Sequence, residues 1–341
     1  MATLHEINEK LYKLEELTKD EAFETFSSIA KGEQDPIVIS SFLTALKIKK
    51  PSVTEIASAA DAMLSVALPF PAPSYDFGDI VGTGGDGAST INISSTAGLV
   101  CASLGVKVAK HGNTSVSSKS GASDVLKEIG FNLMAEPEVS RRMLDEANYC
   151  FAFAPKYHSA MRFVGPVRKA LATRTIFNIL GPLMNPMHTT FGSYGVYSKG
   201  LLPVYAGVLA AQGCKSAEVT WGSGLDEVAI HAPTVIQEVR NGKLTECFTV
   251  TSSDFGLQEY TLDDIRGGDP AENKKYLLDV VSGKGKEAHC AAVAANAAML
   301  IRASGLESDL KKSASMALEA MHDGRAMKTI EKAIAISNGQ A

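Results

Sequence analysis

Up to about residue 68 the apolar positions recur at helical spacing. Leu11, Leu14 and Leu17, then Ala22, Phe23, Phe26, Ile29 and Ala30, fall three or four residues apart or side by side on one face. Thr18-Lys-Asp-Glu21 reads as a capping box, and Gly32 ends that helix. Asp35-Pro36 starts another through Ile37, Ile39, Phe42, Leu43 and Leu46, and Ser52-Val-Thr-Glu55 a further one through Ala60 and Met63. The spacing predicts an all-helical N-terminal lobe over 1–68. Helices this short need partners to bury their apolar faces. An exposed apolar face here suits a dimer contact as well as it suits a cap packed on its own chain.

Residues 69–75, Pro-Phe-Pro-Ala-Pro-Ser-Tyr, break the pattern and read as a hinge. Beyond them short apolar runs alternate with amphipathic stretches. Ile80-Val81, Val106–Val108, Tyr149–Phe153, Tyr194–Val196 and Ala217–Thr220 read as buried strands, with helices at 96–104, 122–130, 137–147 and 200–212. Such alternation predicts a larger α/β lobe over 76–341 with a central, mainly parallel sheet. Residues 156–190 interrupt it with Pro166, Pro182 and Pro186, and part of 160–190 is expected to cross back to the helical lobe. Asn241-Gly242 between Thr234–Val239 and Glu246–Val250 signals a hairpin. An alanine-rich helix is expected over 287–303.

Composition narrows the function. The 341 residues are 45% hydrophobic and 21% charged, with net charge −5, which argues against broad nucleic-acid binding. Five scattered cysteines suit neither a disulfide framework nor a zinc site; reduced thiols in a cytoplasmic protein are the expectation. No apolar run is long enough to span a bilayer, so no membrane partner is expected.

Two loops rich in glycine and hydroxyls carry the chemistry. Gly82-Thr-Gly-Gly-Asp-Gly87 follows a strand, but the next strand ends in Lys110-His111, where a dinucleotide site wants an acid. Ala88-Ser89 stands where a Walker loop needs Lys-Ser/Thr. Asn92-Ile-Ser-Ser-Thr96 opens a helix; its hydroxyls read as caps or as holders of a diphosphate, with a serine able to ligate Mg2+. Lys110 reads as a phosphate ligand leaving a buried strand, and His111 equally as substrate wall or as packing. Asp226-Glu227 in a glycine-rich turn can reach one cation. Arg162, Arg168, Lys169 and Arg174 offer forks for a carboxylate. No Ser-His-Asp arrangement or general-base pair is present in the pattern.

The ordered set Gly82-Thr-Gly-Gly-Asp86, Asn92-Ile-Ser-Ser-Thr96, Lys110-His-Gly-Asn113, Gly165-Pro-Val-Arg168, Arg174-Thr-Ile-Phe-Asn-Ile-Leu-Gly-Pro182 and Gly224-Leu-Asp-Glu227 resembles the anthranilate phosphoribosyltransferase family over nearly the whole chain. The resemblance implies a nucleoside phosphorylase/phosphoribosyltransferase-like fold. It also implies transfer of phosphoribose from 5-phosphoribosyl 1-diphosphate (PRPP) to anthranilate in tryptophan biosynthesis, and a homodimer through the N-terminal helices. Carried over by position, it implies a PRPP site at Gly82, Gly85, Asp86, Thr90, Asn92, Ile93, Ser94, Ser95, Lys110, His111, Gly112, Asn113, Thr114, Ser115, Val116, Ser117, Ser118 and Ala122. Gly82, Asn113, Tyr157, His158 and Arg168 would serve anthranilate, and Ser94, Asp226 and Glu227 would serve Mg2+. No catalytic residue beyond these ligands is implied. Thr114 departs from the arginine usual in that family, and Ala122 from a common serine. Pyrimidine nucleoside phosphorylases share the architecture, but their phosphate loop lacks the Asn92–Thr96 partner. Against a silent nucleic-acid-binding relative stand Lys110, Asp226 and Glu227.

Overall fold

The structure is a computed structural model that describes residues 2–114 and 119–340. The expectations for Ser115, Val116, Ser117 and Ser118 lie outside the described residues. Helices α1 (Leu4–Tyr12), α2 (Lys19–Ala30), α3 (Pro36–Lys49) and α4 (Val53–Leu64) form the N-terminal bundle. Thr3, Thr18 and Ser52 each close a capping box, and Asp35 caps α3 ahead of Pro36. Each such cap is worth about 1 kcal/mol. The buried Glu55 joins three segments: it accepts the Leu17 amide at 3.0 Å, the Ser52 amide at 2.7 Å and the Lys49 ammonium at 2.8 Å. Phe26 packs edge-on against Phe42 at 5.3 Å and against Phe177 at 6.0 Å, so the 160–190 crossing segment joins this bundle.

Among the described residues an eight-stranded sheet forms the larger lobe. Its strands are β1 (Gly78–Gly82), β2 (Val108–Gly112), β3 (Tyr149–Phe153), β4 (Phe191–Gly195), β5 (Ser216–Trp221), β6 (Thr234–Arg240), β7 (Lys243–Leu244) and β8 (Phe248–Val250). The order is β3-β2-β1-β4-β5-β6-β7, parallel through β5 and antiparallel beyond, with β8 on β6. Asn241 and Gly242 both take positive φ, 51° and 72°, as a type I′ turn requires. Two strands sit away from their expected places: β2 begins at Val108, and β4 begins at Phe191. An apolar run marks a strand's buried part, and here the ladder extends into polar or small residues that the pattern leaves out.

Two cores flank the sheet. One gathers the helices Ile93–Ser103 and Glu287–Ser304, the second being buried on nearly every side. The other runs from the bundle through Leu202 and Tyr205 onto Tyr194, Val219 and Val239 of the sheet. The bundle therefore shares a continuous core with one sheet face. The proline-rich connection is tied to the large lobe: Arg141 donates to the Pro71 carbonyl at 3.0 Å, and the Tyr75 hydroxyl donates to Asp145.

Candidate active site

β1 sits where the strand order reverses, with β2 on one side and β4 on the other, and open α/β sheets bind ligands beyond the carboxyl ends of such strands. A cleft of about 840 Å³ lies there, walled on its far side by the crossing segment. It is lined by Gly82, Gly85, Asp86, Thr90, Asn92, Ile93, Ser94, Ser95, Lys110, His111, Gly112, Asn113, Thr114, Ala122, His158, Arg168, Asp226 and Glu227. These residues, expected from distant parts of the chain, are thus brought together.

Backbone contact sets the diphosphate-type end. The Asp226 turn lies directly on the ends of β1 and β4. A Cβ on Gly82 would fall 2.2 Å from Asp226 Oδ2, and one on Gly195 would fall 1.6 Å from the Asp226 carbonyl oxygen. The Gly84 amide donates to Asp226 Oδ2 at 2.5 Å, and the Ser94 hydroxyl to Glu227 Oε1 at 2.5 Å. Burial, then Glu227 and Asp86, pushes the Asp226 carboxyl well above its usual range. Burial likewise raises Glu227 to about 7, against the opposing pull of the Ser94 hydroxyl and Lys110. Arg174, stacked 4.0 Å over Tyr197, donates to the Gly85 carbonyl at 2.5 Å and pins the first loop.

The helix behind this end starts at Ile93, three residues before its expected start, so Ser94, Ser95 and Thr96 lie in its first turn and do not cap it. Asn92 is at the N-cap position but sends its carboxamide elsewhere, donating to the Ser120 carbonyl at 3.4 Å and accepting from Asn273 at 2.8 Å. The helix N-terminus faces the cleft without a side-chain cap, an arrangement that favours anions.

Lys110 does not leave its strand. It is buried within β2, and its ammonium donates to the Ile80 carbonyl. Burial lowers its affinity for a proton, whereas Asp79, Glu227 and Asp226 raise it. The charge therefore sits in the floor of the cleft, facing the carboxylates.

At the other end the rings of His111 and His158 meet edge-on, 5.2 Å apart. His111 Nδ1 lies 3.1 Å from the Gly181 carbonyl, and His158 Nε2 lies 2.8 Å from the Met184 carbonyl. Carbonyls only accept, so those nitrogens carry the hydrogens. Burial pushes both imidazoles down, His111 to about 3, and keeps them neutral. Arg168 lies 5.7 Å over the Phe177 ring and has no ion pair among the described residues. Asn113 Oδ1 accepts the Thr114 amide at 2.7 Å and the Thr114 hydroxyl at 3.3 Å, which fixes the carboxamide's orientation.

Tyr157 is a correction. It ends the short helix Ala154–Tyr157, but its ring is buried in the large-lobe core and lines no part of the cleft. Tyr197, Met184 and Asn178 line the cleft without having been anticipated, since Tyr197 and Met184 lie in irregular segments and Asn178 in a four-residue helix too short to show a period.

The donor set suits Mg2+: hard carboxylate and hydroxyl oxygens, with burial and mutual repulsion that a cation would relieve. Among the described residues no three His, Cys, Asp or Glu side chains form a metal cluster by themselves. Such a site needs oxygens from elsewhere, and substrate phosphates commonly supply them to Mg2+.

Residues 5–67 match the helical bundle domain of a glycosyl transferase family, and residues 74–327 match its a/b domain. An anthranilate phosphoribosyltransferase of Photobacterium profundum is 52% identical over 331 residues, 97% of each chain. The crystal structure of the Thermus thermophilus anthranilate phosphoribosyltransferase superposes with TM-score 0.92 at 35% identity, covering 97% of this chain and 99% of that one. The Saccharomyces cerevisiae enzyme, solved in complex with PRPP and Mg, gives TM-score 0.92 at 30% identity over 98% of both chains.

Proposed function

Since the chain belongs to the anthranilate phosphoribosyltransferase family, we propose that its cleft moves the phosphoribosyl group of PRPP to the amine of anthranilate, releasing diphosphate. The observation that carries this reading is the polarity of the cleft. Carboxylates and a helix N-terminus line one part of the cleft, which is also lined by two neutral imidazoles and by an arginine with no acidic partner among the described residues.

The first loop and the Ile93 helix start hold the diphosphate with backbone amides and hydroxyls. Ser94, Asp226 and Glu227 would hold Mg2+. Bound there, Mg2+ supplies positive charge against the charge that develops on the leaving diphosphate. Lys110 adds a fixed cation from below. Arg168 takes the anthranilate carboxylate, and Asn113 and His158 orient the amine toward the ribosyl carbon. An aromatic amine is unprotonated at neutral pH, so attack needs no strong base; alignment supplies much of the rate. Closure of the helical lobe about 69–75 keeps water from PRPP.

Exposed Tyr12, Leu14, Ile37 and Ile48 on the N-terminal helices support a homodimer through that lobe. Sedimentation at the monomer mass would remove the dimer. Five unpaired thiols support a cytoplasmic setting.

The test is anthranilate fluorescence. It should fall when PRPP and Mg2+ are both present and hold steady when either is omitted. Steady fluorescence with all components and folded protein overturns the reading.

A further inference from the structure

Beside the cleft the parallel ladder fails between two central strands. β1 pairs with β4, and β2 with β3, along five residues each, but β1 and β2 are paired only at Gly78 and Val108. Past that point side chains fill the gap. The wholly buried Asp79 carboxylate accepts the His111 backbone amide at 3.3 and 3.2 Å, and the Asn185 Nδ2 at 2.8 Å. Asn185 Nδ2 also donates to the Ala109 carbonyl at 2.8 Å, and its Oδ1 accepts the Met187 amide at 3.0 Å. The Lys110 ammonium takes the Ile80 carbonyl.

These contacts reach the substrate end through the chain. Asn185 follows directly on the stretch whose Gly181 and Met184 carbonyls hold the two imidazoles. His111 is thus held twice, by its amide on Asp79 and by its ring on a loop that Asp79 anchors through Asn185. A buried carboxylate that only filled space would be better replaced by an apolar side chain, because its desolvation is costly. Here it takes donors from two separate segments.

We propose that Asp79 is a positioning residue for the transfer: with Asn185 it stands in for the absent β1–β2 ladder bonds and sets how Lys110 and His111 face the cleft. The proposal rests on the functional reading above.

Asp79→Asn keeps the size but loses the charge. Only Oδ2 meets both donors, so the carboxamide oxygen has to take that place, and the amide nitrogen then stands against the His111 N–H where Oδ1 accepted it, donor against donor. The expected result is a fall of about 10–100-fold in kcat/KM, the range seen when a partner of a site residue is removed. It is accompanied by a change in the imidazole nitrogen NMR shifts of His111 and an unchanged far-UV spectrum. A variant with a lowered Tm but unchanged kinetic constants and an unchanged His111 signal overturns the proposal, because that is what a purely structural role gives. Asn185→Ser leaves Asp79 in place and removes the bridge. It should shift the same two readouts in the same direction, and it decides the matter by itself if Asp79→Asn does not fold. The imidazole signal does not depend on turnover. A wild-type protein without transferase activity therefore counts against the functional reading, whereas active wild type with wild-type-like variants counts against Asp79.

Discussion

At one end of the cleft Asp86, Asp226 and Glu227 repel one another around a buried ammonium; at the other an arginine has no acidic partner among the described residues and two imidazoles stay neutral. The first end is short of positive charge for the diphosphate proposed to bind there, so on that reading its ligand arrives with a cation. The second end holds unspent positive charge, which on the proposed reading takes the anthranilate carboxylate directly. The same fold serves both because the first end is built on strand termini and a helix start, whereas the second joins Arg168 of the helix Met161–Leu171 to imidazoles held by the Gly181 and Met184 carbonyls.

Three changes test that contrast. Replacing Asp226→Asn and Glu227→Gln together removes the charge that recruits the metal. Turnover should fall by roughly a hundredfold, and the Mg2+ titration should flatten. A variant whose Mg2+ titration matches the wild type would show that the acidic end does something else. Arg168→Ala should raise the KM for anthranilate on the order of tenfold to a hundredfold and leave that for PRPP nearly unchanged, the cost of removing one partner of a desolvated charge pair. If PRPP binding suffers instead, the two ends are not separate.

The smallest effect concerns pH. His111 and His158 bind protons less readily folded than unfolded, chiefly because they are buried. Below about pH 6.5 the unfolded chain takes up protons that the folded one refuses, so their contribution to stability is intact above that pH and lost as pH falls toward the folded values. The KM for anthranilate should stay level between pH 6 and 8. A step in that window that persists in the Asp226→Asn, Glu227→Gln variant, where Glu227 no longer titrates, would mean that an imidazole at the neutral end does.

Much of this was legible in the sequence for physical reasons. Thr18 and Glu21, and Ser52 and Glu55, announce helix starts because capping is local. Asp226 and Glu227 stand out because adjacent acids in a glycine-rich turn are costly without a purpose. The spacing does not show where the strand that carries Lys110 ends: β2 runs on through Gly112, so Lys110 reaches the cleft from within the strand and not from a loop beyond it. Tyr157 was misplaced because spacing cannot tell which side of a one-turn helix meets the core. The bond between Asn185 and Asp79 has no local signal: the two residues lie 106 apart in the chain, and nothing nearby reports their contact.

The close seat of the Asp226 turn on Gly82 and Gly195 has a consequence for how this enzyme tolerates change. The address of the acidic end is written in two hydrogen atoms, one on β1 and one on β4. Gly195 is not among the residues that line the cleft, yet any side chain there would lever the turn off the sheet. A random mutational scan would therefore find the barrier to drift highest at a position no ligand touches. Inheritance of this site depends on keeping that space empty as much as on keeping its charges.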